Sequence, residues 1–302
     1  MSNPDSVNVI IPTLAKAERA DSLLHSLDIL RHQVNVRAQP IIVINGQQYD
    51  PDLSRSLKAD PDLKVLEIDT PSVSQARFVG RQHVNTEFFT FLDDDDEFTQ
   101  DALSLRLLPL KNDPELDAVV TNGFVRKLDN HLLTSIFKSF PSGTTSPATA
   151  LVNENWLASC GGLFRTSTIG EQYFKDLKDY FEWTSLAFEL AKHARIHFLD
   201  HKTFIVNQTP ASLSQSLEYK LEEPELLKSI IGCQSLPKKE TDILKLRLSS
   251  TYNRLANHFL KDGKMQRSLY YHYKCTVASR HGWTYTPWLR HFVRRLFSGR
   301  QP

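Results

Sequence analysis

Apolar and polar positions in the first 120 residues follow two alternating spacings. Short runs of β-branched and aromatic residues predict strands, and stretches in which apolar residues recur every three or four positions predict helices. The predicted strands cover residues 7–11, 41–44, 65–68, 88–92 and 118–121. The predicted helices between them cover residues 16–31, 74–83 and 99–108. Strands that alternate with helices predict an α/β fold with a mostly parallel sheet flanked by helices.

The middle of the chain continues this pattern with longer connections. Residues 139–149 are rich in Ser, Thr, Pro and Gly and predict a loop. Residues 171–192 predict a helix, because apolar side chains fall on one face of it. Two short strands are predicted after it, at residues 196–199 and 203–206.

The character of the chain changes after about residue 212. Two predicted helices, at residues 238–260 and 265–281, are followed by a basic amphipathic tail at residues 288–297. We therefore expect an α/β domain over residues 1–214 and a helical C-terminal extension over residues 215–302.

Polar side chains stand at the ends of three predicted strands. Pro12 and Thr13 follow the first strand, Asn45 ends the second, and an aspartate run follows the fourth. Ligands of open α/β sheets bind outside the carboxyl ends of the strands. The sequence therefore predicts that these three segments meet in one crevice.

Composition narrows the classes of function. Lys and Arg total 36 against 35 Asp and Glu, so a net charge of +1 gives no field that favours nucleic acid. Three cysteines far apart in sequence argue against a disulfide framework or a structural zinc site. We find neither a signal peptide nor an apolar run of about 20 residues. These features lead us to expect a cytoplasmic protein.

The run Asp93-Asp94-Asp95-Asp96 is the strongest chemical signal. Adjacent carboxylates at the end of a buried strand repel one another unless a cation lies nearby. Mg²⁺ and Mn²⁺ prefer oxygen ligands and often link a carboxylate to a substrate phosphate. A divalent metal site is the sharper interpretation, and a solvated acidic turn is the alternative.

Three motifs in this order resemble glycosyltransferase family 2, a large inverting group with the GT-A fold, which is Rossmann-like. The first is Ile10-Ile11-Pro12-Thr13, the second is Val73-Ser74-Gln75-Ala76-Arg77 followed by Gly80, and the third is Phe89-Thr90-Phe91-Leu92 with the aspartates after it. Farther on, Cys160-Gly161-Gly162-Leu163-Phe164-Arg165 resembles the segment on the acceptor side. The resemblance covers about residues 7–212 and is weak beyond them.

This resemblance implies roles for individual residues. Asp95 is expected to bind Mn²⁺ or Mg²⁺, while Asp93 contacts the metal or the ribose and Asp94 supports the nucleotide sugar. Arg77 is expected to face the diphosphate, to which the fork of its guanidinium is suited. The remaining residues implied for the nucleotide pocket are Pro12 and Thr13, and those implied for the acceptor side are Gly161 and Gly162.

The sequence departs from the family pattern at two positions. Asn45 stands where the family usually has an aspartate that recognises the base, so the choice of base is open. The family's catalytic base lies in a Glu-Asp pair that opens a helix, and the matching stretch here is Tyr180-Phe181-Glu182-Trp183. Glu182 then takes the place of the base, with Asp179 as the fallback. The alternative for Glu182 is a first-turn acid that the helix dipole favours.

The resemblance implies a hexosyltransferase that moves a sugar from a nucleotide-diphosphate sugar to a glycan or lipid-linked acceptor, with inversion. By analogy with the family, such an acceptor belongs to surface-polysaccharide assembly. A module that binds the sugar nucleotide or a glycan without catalysis is the alternative. Two other enzyme classes fit less well. The Gly-rich phosphate loop of nucleotidyltransferases is absent after the first strand, and glycoside hydrolases require two separated acids rather than a contiguous run.

The basic tail raises the question of membrane contact. Arg290, Arg294 and Arg295 alternate with Trp288, Phe292 and Phe297 in a pattern that suits an interfacial helix on the inner face of the cell membrane. A terminal helix that packs on the rest of the protein is the equal alternative.

Overall fold

A computed structural model describes residues 5–129, 132–142, 145–177, 180–209, 216–232 and 236–298. The chain forms two compact units, which divide between Pro210 and Ala211. The predicted boundary between residues 214 and 215 falls in the segment 210–215, outside the described residues. No helix in the described ranges is both long enough and apolar enough to cross a bilayer.

The first unit is built on one sheet. Its strands are β1 (Asp5–Thr13), β2 (Val36–Asn45), β3 (Lys64–Ile68), β4 (Phe88–Phe91), β5 (Glu97–Phe98), β6 (Ala118–Arg126), β7 (Leu133–Ser135), β8 (Gly162–Arg165) and β9 (Ile196–Asn207). Their spatial order is β3-β2-β1-β4-β8-β6-β9-β5, and β7 pairs with β6. Strands β3, β2, β1 and β4 are parallel, as are β6 and β9. Strands β5, β7 and β8 run antiparallel to their neighbours. The predicted mostly parallel α/β fold is confirmed.

Alternating side chains on the central strands supply two separate cores. Val9 and Ile11 of β1 belong to one apolar cluster, and Ile10 between them belongs to the other. The first cluster packs under α1 (Ala20–Arg31), α2 (Pro51–Ala59) and α4 (Ala102–Asn112), and the second under α3 (Val73–Gln82), α5 (Pro147–Asn153) and α6 (Glu182–His193). Because both faces are covered, the central strands read as continuous apolar runs.

The structure corrects two predictions in the middle of the chain. The predicted loop at residues 139–149 contains the first turn of α5, where Pro147 follows Ser146 at the start of a helix. Proline is favoured at this position because the first helical N–H needs no partner. The predicted strands at 196–199 and 203–206 are one continuous strand, β9, which pairs with β6 through an irregular register.

Two helix starts also differ from the prediction. Helix α4 begins at Ala102 after Asp101, and the hydroxyl of Thr99 instead donates to the Asp101 carboxylate at 2.9 Å. The helix predicted over residues 171–192 begins only at Glu182, after a short 3₁₀ turn at Glu171–Tyr173. Phe181 stops any earlier start, because its φ of 56° is left-handed.

The second unit is helical, as the sequence predicts. Its helices are α7 (Leu217–Gly232), α8 (Lys238–Lys261), α9 (Met265–Ala278) and α10 (Trp288–Ser298). Trp288 and Phe292 of α10 pack against Ala256 and Leu260 of α8. Two aromatic side chains of the basic tail therefore lie inside the unit, as a packed terminal helix requires. Membrane contact stays a prediction, and in the described residues its support is the exposed Arg290 and Arg294.

Close packing between α3 and β1 gives a test of the first unit. A Cβ added to Gly80 would lie 2.4 Å from Cγ2 of Ile10, so the helix approaches the sheet closely only because this residue has no side chain. We expect Gly80→Ala to lower the free energy of unfolding by about 1–3 kcal/mol through overpacking. Denaturant unfolding followed by circular dichroism measures this change.

Gly232 provides the matched control, because a Cβ there would meet no atom of the described residues within 4 Å. We expect Gly232→Ala to leave stability unchanged or to raise it slightly. Equal stability of the Gly80→Ala and Gly232→Ala proteins would contradict the close-packing explanation.

Candidate active site

The strand ends at which the sequence predicts a crevice lie where the strand order changes direction. From β1 the chain adds β2 and β3 on one side and then returns to place β4 on the other side. This switch point is where open α/β sheets bind ligands. A side-chain contact crosses it, since the hydroxyl of Thr13 at the end of β1 donates to Oδ2 of Asp94 at 2.6 Å. Pro12 beside it is buried.

The aspartate run forms a tight turn after β4. The backbone N–H of Asp96 donates to the carbonyl of Asp93 at 3.1 Å. Asn207, the last residue of β9, holds the turn from the other side. Its side-chain amide donates to the carbonyl of Asp95 at 2.6 Å, and its backbone N–H donates to Oδ1 of Asp96 at 3.1 Å. The turn is thus fixed by a strand that follows it by more than 100 residues.

Burial makes these carboxylates costly to ionise. Burial raises the pKa of Asp94 to about 6, although Thr13 and Arg19 act in the opposite direction. Burial also raises the pKa of Asp95, with a further contribution from Asp93. The pKa of Asp96 is raised well above its usual value for the same reasons. A site in which several carboxylates resist ionisation gains stability from added positive charge.

Arg19 supplies part of that charge. It lies in the turn between β1 and α1, and its Nη1 contacts Oδ1 of Asp94 at 3.1 Å and Oδ2 of Asp95 at 2.6 Å. About a third of its side chain, 32%, remains exposed. The predicted metal ligand Asp95 is therefore paired with an arginine.

Arg77 joins the aspartate turn to the predicted base. Its Nη2 donates to Oδ1 of Asp93 at 2.7 Å, and its Nη1 donates to Oε1 of Glu182, also at 2.7 Å. Its side chain is only 3% exposed, and its guanidinium lies over the ring of Trp183. The residue predicted to face a diphosphate is thus buried between two carboxylates.

Glu182 opens α6 at this junction. Burial raises the pKa of its carboxyl above the usual value, while the neighbouring Arg77 opposes that shift. The left-handed Phe181 sets the direction in which the helix starts, and such backbone strain clusters at functional sites. The fallback base, Asp179, lies outside the described residues.

Two donors beside these carboxylates have no hydrogen-bond partner. They are Nε of Arg77 and Nε1 of Trp183, both buried and unpaired among the residues that the structure describes. Buried donors are normally satisfied, so such a pair near a crevice is consistent with a ligand that brings acceptors.

Asn45 lies at the same edge of the sheet. Its side-chain amide donates to the carbonyl of Thr13 at 3.0 Å, which ties the ends of β2 and β1 together. Gly46 follows with a φ of 92°, a conformation in which glycine is favoured. The amide group is therefore buried between the two strand ends, and base recognition by Asn45 stays a prediction.

Gly161 and Gly162 lie beside the aspartate turn but inside the protein. Gly161 directly precedes β8 and Gly162 is its first residue, and the next residue, Leu163, pairs with Thr90 of β4. Both glycines are buried, and the Thr90 hydroxyl donates to the carbonyl of Gly162 at 2.6 Å. Contact with an acceptor stays a prediction for these two residues.

The carboxylates fit a divalent cation only in part. Nowhere in the described ranges do three His, Cys, Asp or Glu side chains converge on one point. Mg²⁺ often needs only one or two carboxylates together with substrate phosphates and water. Asp95 and Asp93 supply oxygens of that kind, so the donor set suits a metal that binds together with a diphosphate.

Sequence reasoning did not identify Arg19 or Asn207 as site residues. Both stand at the same edge as Thr13 and Asn45, since Asn207 ends β9 and Arg19 follows β1. A polar side chain directly after an apolar strand was the signal available for Asn207. For Arg19, several residues beyond its strand, the sequence offers no comparable signal.

Solved structures share this architecture. S. aureus TarS 1–349 in complex with UDP-GlcNAc matches with a TM-score of 0.62 and 16% identity, over 91% of this chain and 82% of that one. TarS 1–349 in complex with UDP matches with a TM-score of 0.59 and 17% identity, over 91% and 81%. The longer S. aureus TarS matches with a TM-score of 0.60 and 16% identity, over 96% of this chain and 53% of that one. At such identities the likeness shows the fold, which agrees with the expected GT-A architecture.

Sequence comparison shows the family. No curated protein matches the chain. The model of the family described as glycosyl transferase family 2 matches residues 8–166, which include the strand-end residues, Arg77, the aspartate turn and both glycines, and which end before Glu182. Because this match covers more than half of the 302 residues, the chain belongs to glycosyl transferase family 2, as its three motifs predicted.

Proposed function

We propose that the protein transfers a sugar, with inversion, from a nucleotide-diphosphate sugar to a hydroxyl of a glycan or lipid-linked acceptor, in a metal-dependent reaction. The observation that carries this proposal is the Arg77 bridge. It holds a carboxylate of the aspartate turn and the carboxylate of Glu182 on one buried guanidinium, each at 2.7 Å. This shared contact supports a mechanism in which the carboxylate that would help to hold the donor and the carboxylate that would accept the proton act next to each other.

Glu182 acts as the general base in this mechanism. Its carboxylate removes the proton from the acceptor hydroxyl as that oxygen attacks the anomeric carbon of the donor. A raised pKa makes it a stronger base than an ordinary glutamate. Arg77 keeps it ionised and fixes its position, since the two groups are hydrogen bonded.

Asp95 and Asp93 would hold the divalent metal, Mn²⁺ or Mg²⁺. When bound, the metal neutralises charge on the departing nucleoside diphosphate. Asp94 hydrogen bonds to Thr13 and so fixes the spacing between the two strand ends that face the nucleotide. Because the likeness to TarS includes complexes with UDP-GlcNAc and UDP, UDP sugars are the first donors to test.

A module that binds sugar nucleotides without transfer is the competing function. It would keep the strand-end residues but would gain nothing from a buried carboxylate with a raised pKa. Release of nucleoside diphosphate that depends on an acceptor distinguishes the two functions. Incubation with UDP, GDP and dTDP sugars, each with glycan and lipid-linked acceptors, is the direct experiment.

Replacing Glu182 tests the base. We expect Glu182→Gln to lower kcat by about 10²–10⁴-fold, because the amide cannot accept the proton. Donor affinity, measured by isothermal titration calorimetry, should change little, since the amide keeps the size of the side chain.

Glu189 offers a control on the same helix. It is exposed and pairs with Lys192 at 2.7 Å, so Glu189→Gln removes a charge without reaching the site. Normal turnover by Glu182→Gln, or an equal loss in both variants, would contradict the assignment of the base.

The pH dependence of kcat/KM tests the raised pKa. A general base works only when deprotonated, so activity is lost as pH falls through its pKa. Burial and Asp93 raise that pKa while Arg77 lowers it, and the net shift is upward. We expect the acidic limb of wild-type kcat/KM to have its midpoint above the ordinary value of 4.5.

Asp94 also titrates in this range, since its pKa is raised to about 6. The residual activity of Glu182→Gln separates the two groups, because it keeps the contribution of Asp94 and loses that of Glu182. An acidic limb identical in the wild type and in Glu182→Gln would show that Glu182 does not titrate as the base.

Removal of the metal tests the role of the aspartates. We expect EDTA to abolish transfer and added Mn²⁺ to restore it, and we expect Asp95→Asn to lower kcat/KM about 100-fold at fixed Mn²⁺. Asp62→Asn is the control, since Asp62 is exposed on the surface. Full activity of Asp95→Asn, or full transfer in EDTA, would exclude the proposed metal dependence.

A further inference from the structure

Arg19 occupies a position that conflicts with the proposed metal. A single nitrogen, Nη1, contacts carboxylate oxygens of both Asp94 and Asp95. Asp95 is the residue that we expect to bind the cation. A metal ligated by Asp95 would therefore stand close to a guanidinium of the same charge sign, and the two positive charges would repel each other.

The two arginines of the site differ in how firmly they are held. Arg77 is 3% exposed and is enclosed by two carboxylates and the Trp183 ring. Arg19 is 32% exposed and lies in a short 3₁₀ turn, with its guanidinium held by the aspartates. Its long side chain can rotate toward solvent, where the charged head group is hydrated, once a metal replaces its two ion pairs with the carboxylates. Of the two arginines, Arg19 is thus the one whose side chain can be displaced from the aspartates.

The aspartate turn explains why such an arginine is useful. Asp94 and Asp95 are largely buried, with side chains 13% and 21% exposed. Without a cation their charges would repel one another. A positive side chain at this point keeps the two carboxylates ionised and in place until a metal arrives.

We propose that Arg19 is an internal counter-ion of the aspartate turn, which holds the place of the divalent metal at Asp95 and is displaced when that metal binds. This inference rests on the proposed function. It adds that the metal must compete with a residue of the chain itself, so Arg19 lowers the intrinsic affinity of the site for divalent cations.

Metal affinity measured without nucleotide or acceptor gives the test. Mn²⁺ is titrated into the full chain, and the free ion is followed by electron paramagnetic resonance, with calorimetry as a second readout. We expect Arg19→Gln to bind Mn²⁺ about tenfold or more tightly than the wild type, because the competing charge is gone. Circular dichroism establishes that the variant is folded.

Arg126 provides the matched control. It is exposed to the same degree, 31%, and pairs with Glu97, which follows the aspartate turn directly. Arg126 also donates to Oδ1 of Asn207 at 2.7 Å, so Arg126→Gln removes the same charge, and a contact with the residue that holds the aspartate turn, while Asp95 keeps its ion pair with Arg19. We expect its Mn²⁺ affinity to stay within about threefold of the wild type.

Arg19→Lys is a second variant that keeps the charge. Its ammonium is on a shorter side chain and is more strongly hydrated than a guanidinium, so it competes less well for the two carboxylates, and we expect tightening smaller than in Arg19→Gln but at least threefold. This variant also carries the test if the glutamine protein fails to fold.

Three outcomes would overturn the proposal. They are unchanged or weaker Mn²⁺ binding by folded Arg19→Gln, equal tightening in Arg19→Gln and Arg126→Gln, and absence of Mn²⁺ binding in every variant. Failure of the proposed function is measured separately, as absence of acceptor-dependent nucleotide release. A protein that transfers sugar but shows no Arg19 effect would lose this inference and keep its function.

Discussion

One buried guanidinium holds the site together. Arg77 comes from α3, Asp93 follows β4 and Glu182 opens α6, and these three elements are brought together by two hydrogen bonds of 2.7 Å. Removing one partner of such a buried set typically costs about 3–5 kcal/mol, because a charge is left without compensation. The position of the candidate base relative to the aspartate turn therefore depends on Arg77. Direct contact between Arg77 and a diphosphate stays a prediction, and its Nε, which has no hydrogen-bond partner among the described residues, is the donor available for it.

The two arginines compensate different carboxylates of the site. Arg77 is enclosed and compensates Asp93 and Glu182 permanently. Arg19 is partly exposed and compensates Asp94 and Asp95 through a contact that can be broken. The fixed charge of Arg77 sets the positions of its two carboxylates. The displaceable charge of Arg19 keeps the aspartate turn assembled until a ligand binds. Burial raises the pKa of both Asp94 and Asp95, and Arg19 opposes that rise.

The sequence predicted which residues lie at the carboxyl ends of the strands better than it predicted the side-chain contacts between them. Apolar runs located the ends of β1, β2 and β4, and the rule for α/β folds then placed Thr13, Asn45 and the aspartates together. Contacts between side chains far apart in sequence could not be predicted. Arg19 and Asp94 lie 75 residues apart, and no pattern in either segment indicates that the two form an ion pair. Hydrophobic periodicity missed the start of α6 for a different reason, since it does not report the left-handed backbone of Phe181, whereas the family resemblance already put Glu182 at the opening of a helix. The Ser- and Pro-rich stretch that contains the start of α5 was likewise judged by composition, although a proline in the first turn favours a helix.

The environment of Glu182 supports catalysis over simple binding. A carboxylate that only began a helix would gain from the dipole at the surface, where it would keep its hydration. Here the side chain is 14% exposed, and burial raises the pKa of its carboxyl. Arg77 opposes part of that rise, and it lies over the ring of Trp183, which adds a further favourable contact. Perturbed carboxylates that are buried beside a specific charge partner in a crevice are typical of acid–base catalysts. A binding module would need Asp93 and the strand ends, but it would not need a second carboxylate held at the same guanidinium.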